Sequence, residues 1–374
     1  MKQQQTHAIL GAKALSTLLE LLAIDSPSGQ EGRIAANLIG RLSRMGFISE
    51  QDPTGNIYAT LSATPGREQE PMIMFNCHMD TVPPAVGVHP ITADGELRSD
   101  GTTALGADDK AGIAAVLTAL DAMLQDDLPH PPLMVLFTVS EETGLSGARM
   151  VEVSRLGGVD CGYTIDASGP AGTVVVQAPS KYRITATFHG RAAHAGFSPE
   201  NGISAISIAC RAIDNMKLLR IDPETTANIG SITGGGSTNI VCDTATVVME
   251  TRSLVEAKIE AQAEHMRQCC LQAAKDFGGT CDVDIDRLYF LYAHSGQAPV
   301  IQAVAAACGK LNLPFVTKPT TGGSDANVFN RAGIPVAVLS AGYRNAHSVQ
   351  ETLDLSEFER LTALVLELMT AFRQ

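Results

Sequence analysis

Four short segments of this sequence are predominantly apolar: MIMF (72–75), LMVLFTV (133–139), GYTI (162–165) and IPVAVLS (334–340). A strand that is apolar on both faces must be covered on both faces, which a sheet sandwiched between helices provides. The stretches around these segments supply such helices. Leu15, Leu18, Leu19 and Leu22 follow the i, i+3, i+4, i+7 spacing, and KAGIAAVLTALDAML (110–124) repeats it through Ile113, Val116, Leu117, Leu120 and Leu124. Strands alternating with helices define an α/β fold, with a mixed, mostly parallel sheet flanked by helices.

The middle of the chain reads differently. KYRITATFHG (181–190) alternates with period two, as do parts of TTANIGSIT (225–233), TNIVCDTATVVMETRS (238–253) and CDVDIDRLYF (281–290). Helical stretches at 201–216 and 256–278 separate them. The order β-α-β-β-α-β is the ferredoxin-like pattern. We therefore expect a main domain formed by 1–179 and 291–374, and an inserted α+β domain at 180–290. The segment at 334–340 then rejoins the first sheet. A length of 374 residues fits two cores better than one.

A net charge of −13 argues against nucleic acid and anionic membranes as partners. The N-terminal stretch MKQQQTHAILGAKALSTLLELLAI does not read as a signal peptide, because Lys13 and Glu20 interrupt its apolar run. No segment approaches the apolar length that a membrane span requires. The eight cysteines form no C-x-x-C pair. We expect reduced thiols, most of them in the core, and a cytoplasmic protein.

Each apolar segment delivers an acid or a histidine at or beyond its C-terminal end. MIMFN is followed by His78 and Asp80, and LMVLFTVS by Glu141 and Glu142. CGYTI leads to Asp166 and IPVAVLSAGYRNA to His347, while Asp108 and Asp109 precede the helix at 110–124. In open α/β sheets, ligands bind beyond the carboxyl ends of the strands. Singly, these residues also suit other tasks: an H-x-D turn, a carboxylate capping a helix, a loop histidine. Together, so many carboxylates at one sheet edge would repel one another, and a divalent cation resolves that repulsion. Imidazole plus carboxylate without a cysteine cluster suits zinc or a similar metal. Two histidines and several carboxylates exceed the needs of one tetrahedral site; they match two metals sharing a bridging carboxylate.

The motifs HMDTV, GADDKAG, EETG, TID and the late AH in YRNAHS, in this order, resemble the dizinc exopeptidase family that includes peptidase T, carboxypeptidase G, aminoacylase and succinyl-diaminopimelate desuccinylase. GTTALGADDKAGIA, GGSDANVF and GGSTNIV…METRS look most like the peptidase T branch. The resemblance implies that His78 and Asp166 hold one zinc, that Glu142 and His347 hold the other, and that Asp108 bridges them, with a cis peptide after it. Cobalt or manganese could replace zinc. Asp80 would orient His78, and Glu141 would be the general base. In the inserted domain, which would act as lid and dimerisation domain, His194 matches the histidine that reaches the partner subunit's active site and stabilises the oxyanion. Asn239 and Arg252 match substrate-binding positions, and Gly322, Gly323 and Ser324 resemble a substrate-lining loop. The segment between HMDTV and GADDK is shorter than in peptidase T, where an insertion lies near the substrate pocket.

The expected protein is thus a homodimeric dizinc hydrolase of amide bonds in small peptides, foremost an aminopeptidase acting on tripeptides. A carboxypeptidase or N-acyl-amino-acid deacylase would use the same centre. A non-catalytic metal-binding module is a more distant reading, which the intact Glu141–Glu142 pair opposes.

Overall fold

The computed structural model describes residues 2–371. The chain divides into two compact units. The first runs to Val176, resumes over Ala293–Pro319 and again from Ser324; the second comprises Gln177–Tyr292 and Thr320–Gly323.

A nine-stranded sheet is the frame of the first unit. Its order is Ile48–Gln51, Ile57–Leu61, Leu133–Thr138, Met72–His78, Val159–Ala167, Val336–Ser340, Thr173–Ala178 and Tyr292–Ala293, with Val316–Pro319 also paired to Thr173–Ala178. The four strands at its centre, beginning at Leu133, Met72, Val159 and Val336, are mutually parallel, and Ile57–Leu61 and Thr173–Ala178 join them antiparallel on either side. Every residue of Leu133–Thr138 and Val336–Ser340 is buried, which is why these segments carry no polar face. Parallel strands point their carboxyl ends the same way, so His78, the turn after Thr138, and Asp166 arrive at one edge.

Helices Lys2–Leu22, Ala107–Gln125 and Leu355–Ala371 pack on one another, and Ala107–Gln125 also packs on Met72–His78 and Val159–Ala167. Its side chains are buried without a break from Ala107 to Leu120, so this helix is apolar nearly all round rather than striped. Gly112 is required there: a Cβ would stand 2.2 Å from Asp109 Oδ1 and 2.7 Å from the Ile165 carbonyl oxygen. A small four-stranded sheet joins Tyr343–Arg344, Thr352–Asp354, Glu96–Arg98 and Ile91–Ala93.

The second unit holds a five-stranded antiparallel sheet in the order Leu219–Asp222, Thr225–Gly234, Thr244–Ser253, Ser180–His189, Thr280–Tyr289. Without the short first strand this is the ferredoxin-like order. Helices Ala205–Asp214 and Glu256–Asp276 cover it through Ile208, Ala212, Met266 and Cys270. Within 238–253, parts of which alternate with period two, the strand begins at Thr244. Residues 239–241 pair instead with 193–195, through the Ala195 amide on the Asn239 carbonyl and the Val241 amide on the Ala193 carbonyl.

All eight cysteines are free. Only Cys77, Cys161, Cys270 and Cys308 are buried, so the expectation of mostly core thiols fails for the other four. All four of those, Cys210, Cys242, Cys269 and Cys281, lie on the inserted unit, where a two-layer core leaves many positions half covered. No helix among the described residues is long and apolar enough to cross a membrane.

Candidate metal centre

His78 ends its strand with its ring buried, 2% exposed. Its Nε2 lies 3.2 Å from Asp108 Oδ1 and 3.9 Å from Asp166 Oδ1. The other oxygen of Asp108, Oδ2, is 3.3 Å from His347 Nε2, which in turn is 2.9 Å from Glu142 Oε1. Asp108 therefore places one oxygen among His78 and Asp166 and the other among His347 and Glu142. Ligand atoms of His78, Glu141 and Asp166 lie within 4.8 Å of one another, as do those of His78, Asp108 and Glu142. The Asp108–Asp109 peptide is cis, and both residues leave helical φ/ψ at the start of their helix.

Asp80 does more than face His78. The ring Nδ1 is 2.9 Å from the Asp80 backbone carbonyl oxygen and 3.4 Å from its carboxylate. A donor at Nδ1 fixes the ring and leaves Nε2 free as a ligand atom. The Asp80 carboxylate accepts from the Ser28 hydroxyl and from the amides of Glu141 and Glu142.

Several residues to which the sequence assigned no role also take part. The Tyr343 hydroxyl donates to Asp108 Oδ1 at 3.2 Å and to Asp166 Oδ1 at 3.3 Å. Glu351 accepts from the amides of Gly106 (2.8 Å) and Asp108 (3.1 Å), which sets the backbone under the bridging carboxylate. Buried Asp325 accepts from Thr138 and Asn76. Lys110, 1% exposed, donates to the Ile24 carbonyl oxygen. Tyr343, Asp325 and Lys110 lie inside the motifs YRNAHS, GGSDANVF and GADDKAG, and Glu351 stands four residues after His347.

The electrostatics follow from crowding. Burial, then the charges of Asp325, Glu142 and Asp108, pushes the Glu141 carboxyl well above the ordinary range. Burial together with Glu141 and Asp108 does the same to Asp166. Asp109 is raised mainly by burial, and Glu351 is pushed up to about 7 by burial and the charge of Asp108. Burial works against a charged His78, but hydrogen bonds to Asp108 and Asp80 outweigh it and raise the ring. Hydrogen bonds to Asp108 and Glu142 lift His347 to about 10. Burial would raise Asp108, yet both imidazoles hold it low. The cluster thus gathers protons onto acids and imidazoles alike. Its oxygen and nitrogen donors, lacking any thiolate, fit divalent cations that would take the place of those protons.

The remaining expected site residues fall as follows. Ser324, in the first unit, donates its amide to Asn327 Oδ1. His194, Asn239, Arg252 and Gly323 belong to the second unit. His194 Nδ1 accepts from the amides of Gly196 and Phe197, both at 3.1 Å, so Nε2 carries the ring proton. The bridge between His194 and Ile240 sets Asn239 beside it. Arg252 pairs with Glu250 (Nε to Oε1, 2.8 Å) and points Nη1 toward the Thr321 carbonyl oxygen. A Cβ on Gly323 would meet Tyr289 Cζ at 2.3 Å, so only glycine fits against that ring.

Residues 74–371 match peptidase family M20/M25/M40. The chain is 39% identical to the uncharacterized protein YqjE of Bacillus subtilis (strain 168) over 365 residues, 96% of this chain and 97% of that one. It superposes on the crystal structure of aminopeptidase PepT from Bacillus cereus ATCC 10987 with a TM-score of 0.85 and 37% identity, covering 96% of this chain and 98% of that chain. A tripeptidase from Staphylococcus aureus subsp. aureus Mu50 gives a TM-score of 0.89, again at 37% identity and the same coverage. The chain belongs to peptidase family M20/M25/M40.

Proposed function

We propose that this protein is a cytoplasmic aminopeptidase that uses two divalent cations, foremost zinc, to release the N-terminal residue of tripeptides. The observation that carries the reading is the division of Asp108, with one oxygen in each of two donor groups. His78 and Asp166 would hold one ion, and Glu142 and His347 the other. Support for the substrate comes from the two structures at 37% identity, described as an aminopeptidase and a tripeptidase. When bound, such a pair of ions polarises the scissile carbonyl and acidifies water to a pKa of about 7.

The protein's own residues handle protons and orientation. Glu141 takes the proton of the attacking water and passes it to the departing amine. Asp80 and Tyr343 hold the donor groups in place. The Nε2–H of His194 suits donation to a developing oxyanion, and Asn239 beside it suits a substrate contact. In this reading His194 serves the partner's site in a homodimer built through the inserted unit. Exposed Phe197, Ile206, Ile232 and Ile240 on that unit favour such an interface. Gly323 and Ser324 would line the substrate.

Arg252 favours a second reading, because a guanidinium binds the free α-carboxylate of carboxypeptidase and deacylase substrates. Hydrolysis of one tripeptide in free, N-acetylated and C-amidated forms, with chelator and zinc add-back, separates the two. Cleavage that requires a free N-terminus and follows zinc supports the aminopeptidase. Cleavage of the N-acetylated form alone replaces it with the second reading.

A further inference from the structure

Three consecutive amides after the strand Leu133–Thr138 are each held by a buried carboxylate. Ser140 N–H donates to Glu31 Oε1 at 2.9 Å, Glu141 N–H to Asp80 Oδ1 at 2.9 Å, and Glu142 N–H to Asp80 Oδ2 at 3.2 Å. Glu31 Oε1 also accepts from the Ser140 hydroxyl and from the Gly29 amide, both at 3.0 Å. Glu31 is 6% exposed and Asp80 fully buried. The two acids share one frame: Ser28 Oγ donates to Asp80 at 2.7 Å, and the Thr81 amide donates to the Ser26 carbonyl at 2.9 Å.

Ser140 needs this support. Its φ is +53°, in the left-handed region that a residue with a Cβ enters only at a cost. Two bonds to one carboxylate hold it there. The turn matters because the next two residues are adjacent glutamates with different tasks. Their side-chain directions are set by the backbone that Glu31 and Asp80 grip. Asp80 also faces His78, but Glu31 belongs to neither donor group.

We propose that Glu31 is a positioning residue for the general base: acting through Ser140, it fixes the 140–142 turn so that Glu141 and Glu142 take separate roles. The proposal rests on the reading of Glu141 as the base. Misplacing a catalytic group by about 1 Å costs on the order of a hundredfold in rate, so the effect belongs in kcat.

The test uses the zinc-loaded full chain and a free tripeptide, with Glu31→Ala, Glu31→Gln and Glu141→Gln compared with the parent. Glu31→Ala should lower kcat about 30-fold with KM within about twofold and zinc content unchanged. Amide hydrogen exchange in the peptide spanning 140–145 should rise about tenfold or more. Glu31→Gln keeps an oxygen acceptor and should restore kcat to within about fivefold of the parent. Glu141→Gln should lower turnover by about 10²–10⁴ without raising exchange. Glu31→Ala at parental kcat beside an inactive Glu141→Gln overturns the proposal alone. So does a loss of kcat that tracks lost zinc, or exchange that stays unchanged. Full activity in Glu141→Gln overturns the base reading and the proposal with it.

Discussion

Replacing Glu351 by Gln isolates the electrostatic cost of the acid cluster. Glu351 is 1% exposed, accepts two amide hydrogen bonds beside the centre, and is pushed from 4.5 up to about 7 by burial and by the charge of Asp108. At roughly 1.36 kcal/mol per pH unit, that displacement corresponds to about 3 kcal/mol. The folded carboxyl keeps its proton between pH 4.5 and about 7, where the unfolded one has lost it. The contribution of Glu351 to the stability of the metal-free protein is therefore full below 4.5 and is lost as pH rises through about 7. Gln has the same shape and stays neutral, but its single oxygen serves only one of the two amides that Glu351 holds with separate oxygens, a fixed cost that does not vary with pH. In denaturant titrations of chelator-treated protein, the stability of Glu351→Gln relative to the parent should rise by up to about 3 kcal/mol between pH 4.5 and pH 8. Loading zinc should shrink that rise, because the cations offset the charge. A difference between variant and parent that stays constant from pH 4.5 to pH 8 in chelator, or that falls over that range, refutes the reasoning.

Glu141→Gln should retain both metals while turnover falls by about 10²–10⁴, the usual worth of a general base; steady-state kinetics beside metal analysis checks this, and near-normal turnover removes Glu141 from the role. Because both His78 and His347 are held protonated near neutrality in the metal-free protein, loading zinc should release protons, and affinity should weaken as pH falls. Calorimetry in buffers of different ionisation enthalpy reads that release, and its absence would contradict the ligand assignment. Replacing Ile206 and Ile232 together with Asp should give a monomer by light scattering, with activity lost alongside the dimer if His194 acts across the interface; an unchanged dimer points to a different surface.

The strands and their polar ends were legible because the chemistry is local. A doubly apolar run such as LMVLFTV has few alternatives to a buried strand, and the residue that follows it necessarily reaches the sheet edge. The second unit was equally legible, since its period-two alternation in KYRITATFHG reflects a sheet covered on one face only. Helices such as Gly32–Arg44 and Pro299–Leu311 were not singled out, and the pairing of 239–241 with 193–195 left no mark because the two segments lie about 45 residues apart. Within the centre, residues that abut strand ends stood out, whereas Tyr343, Glu351 and Asp325 did not. They reach the site through loops and a helix start, where no periodicity marks the inward positions. Glu31 was hidden for the same reason: its partner, Ser140, is 109 residues away, and only the fold joins them.

The claim on which everything else depends is that Asp108 bridges two ions. Zinc-edge anomalous diffraction from crystals of the zinc-loaded protein tests it directly. The account predicts two peaks per chain, about 3.5–4 Å apart, one toward His78 and Asp166 and the other toward Glu142 and His347, with Asp108 between them. A single peak, or two peaks with Asp108 bound to only one, would contradict it.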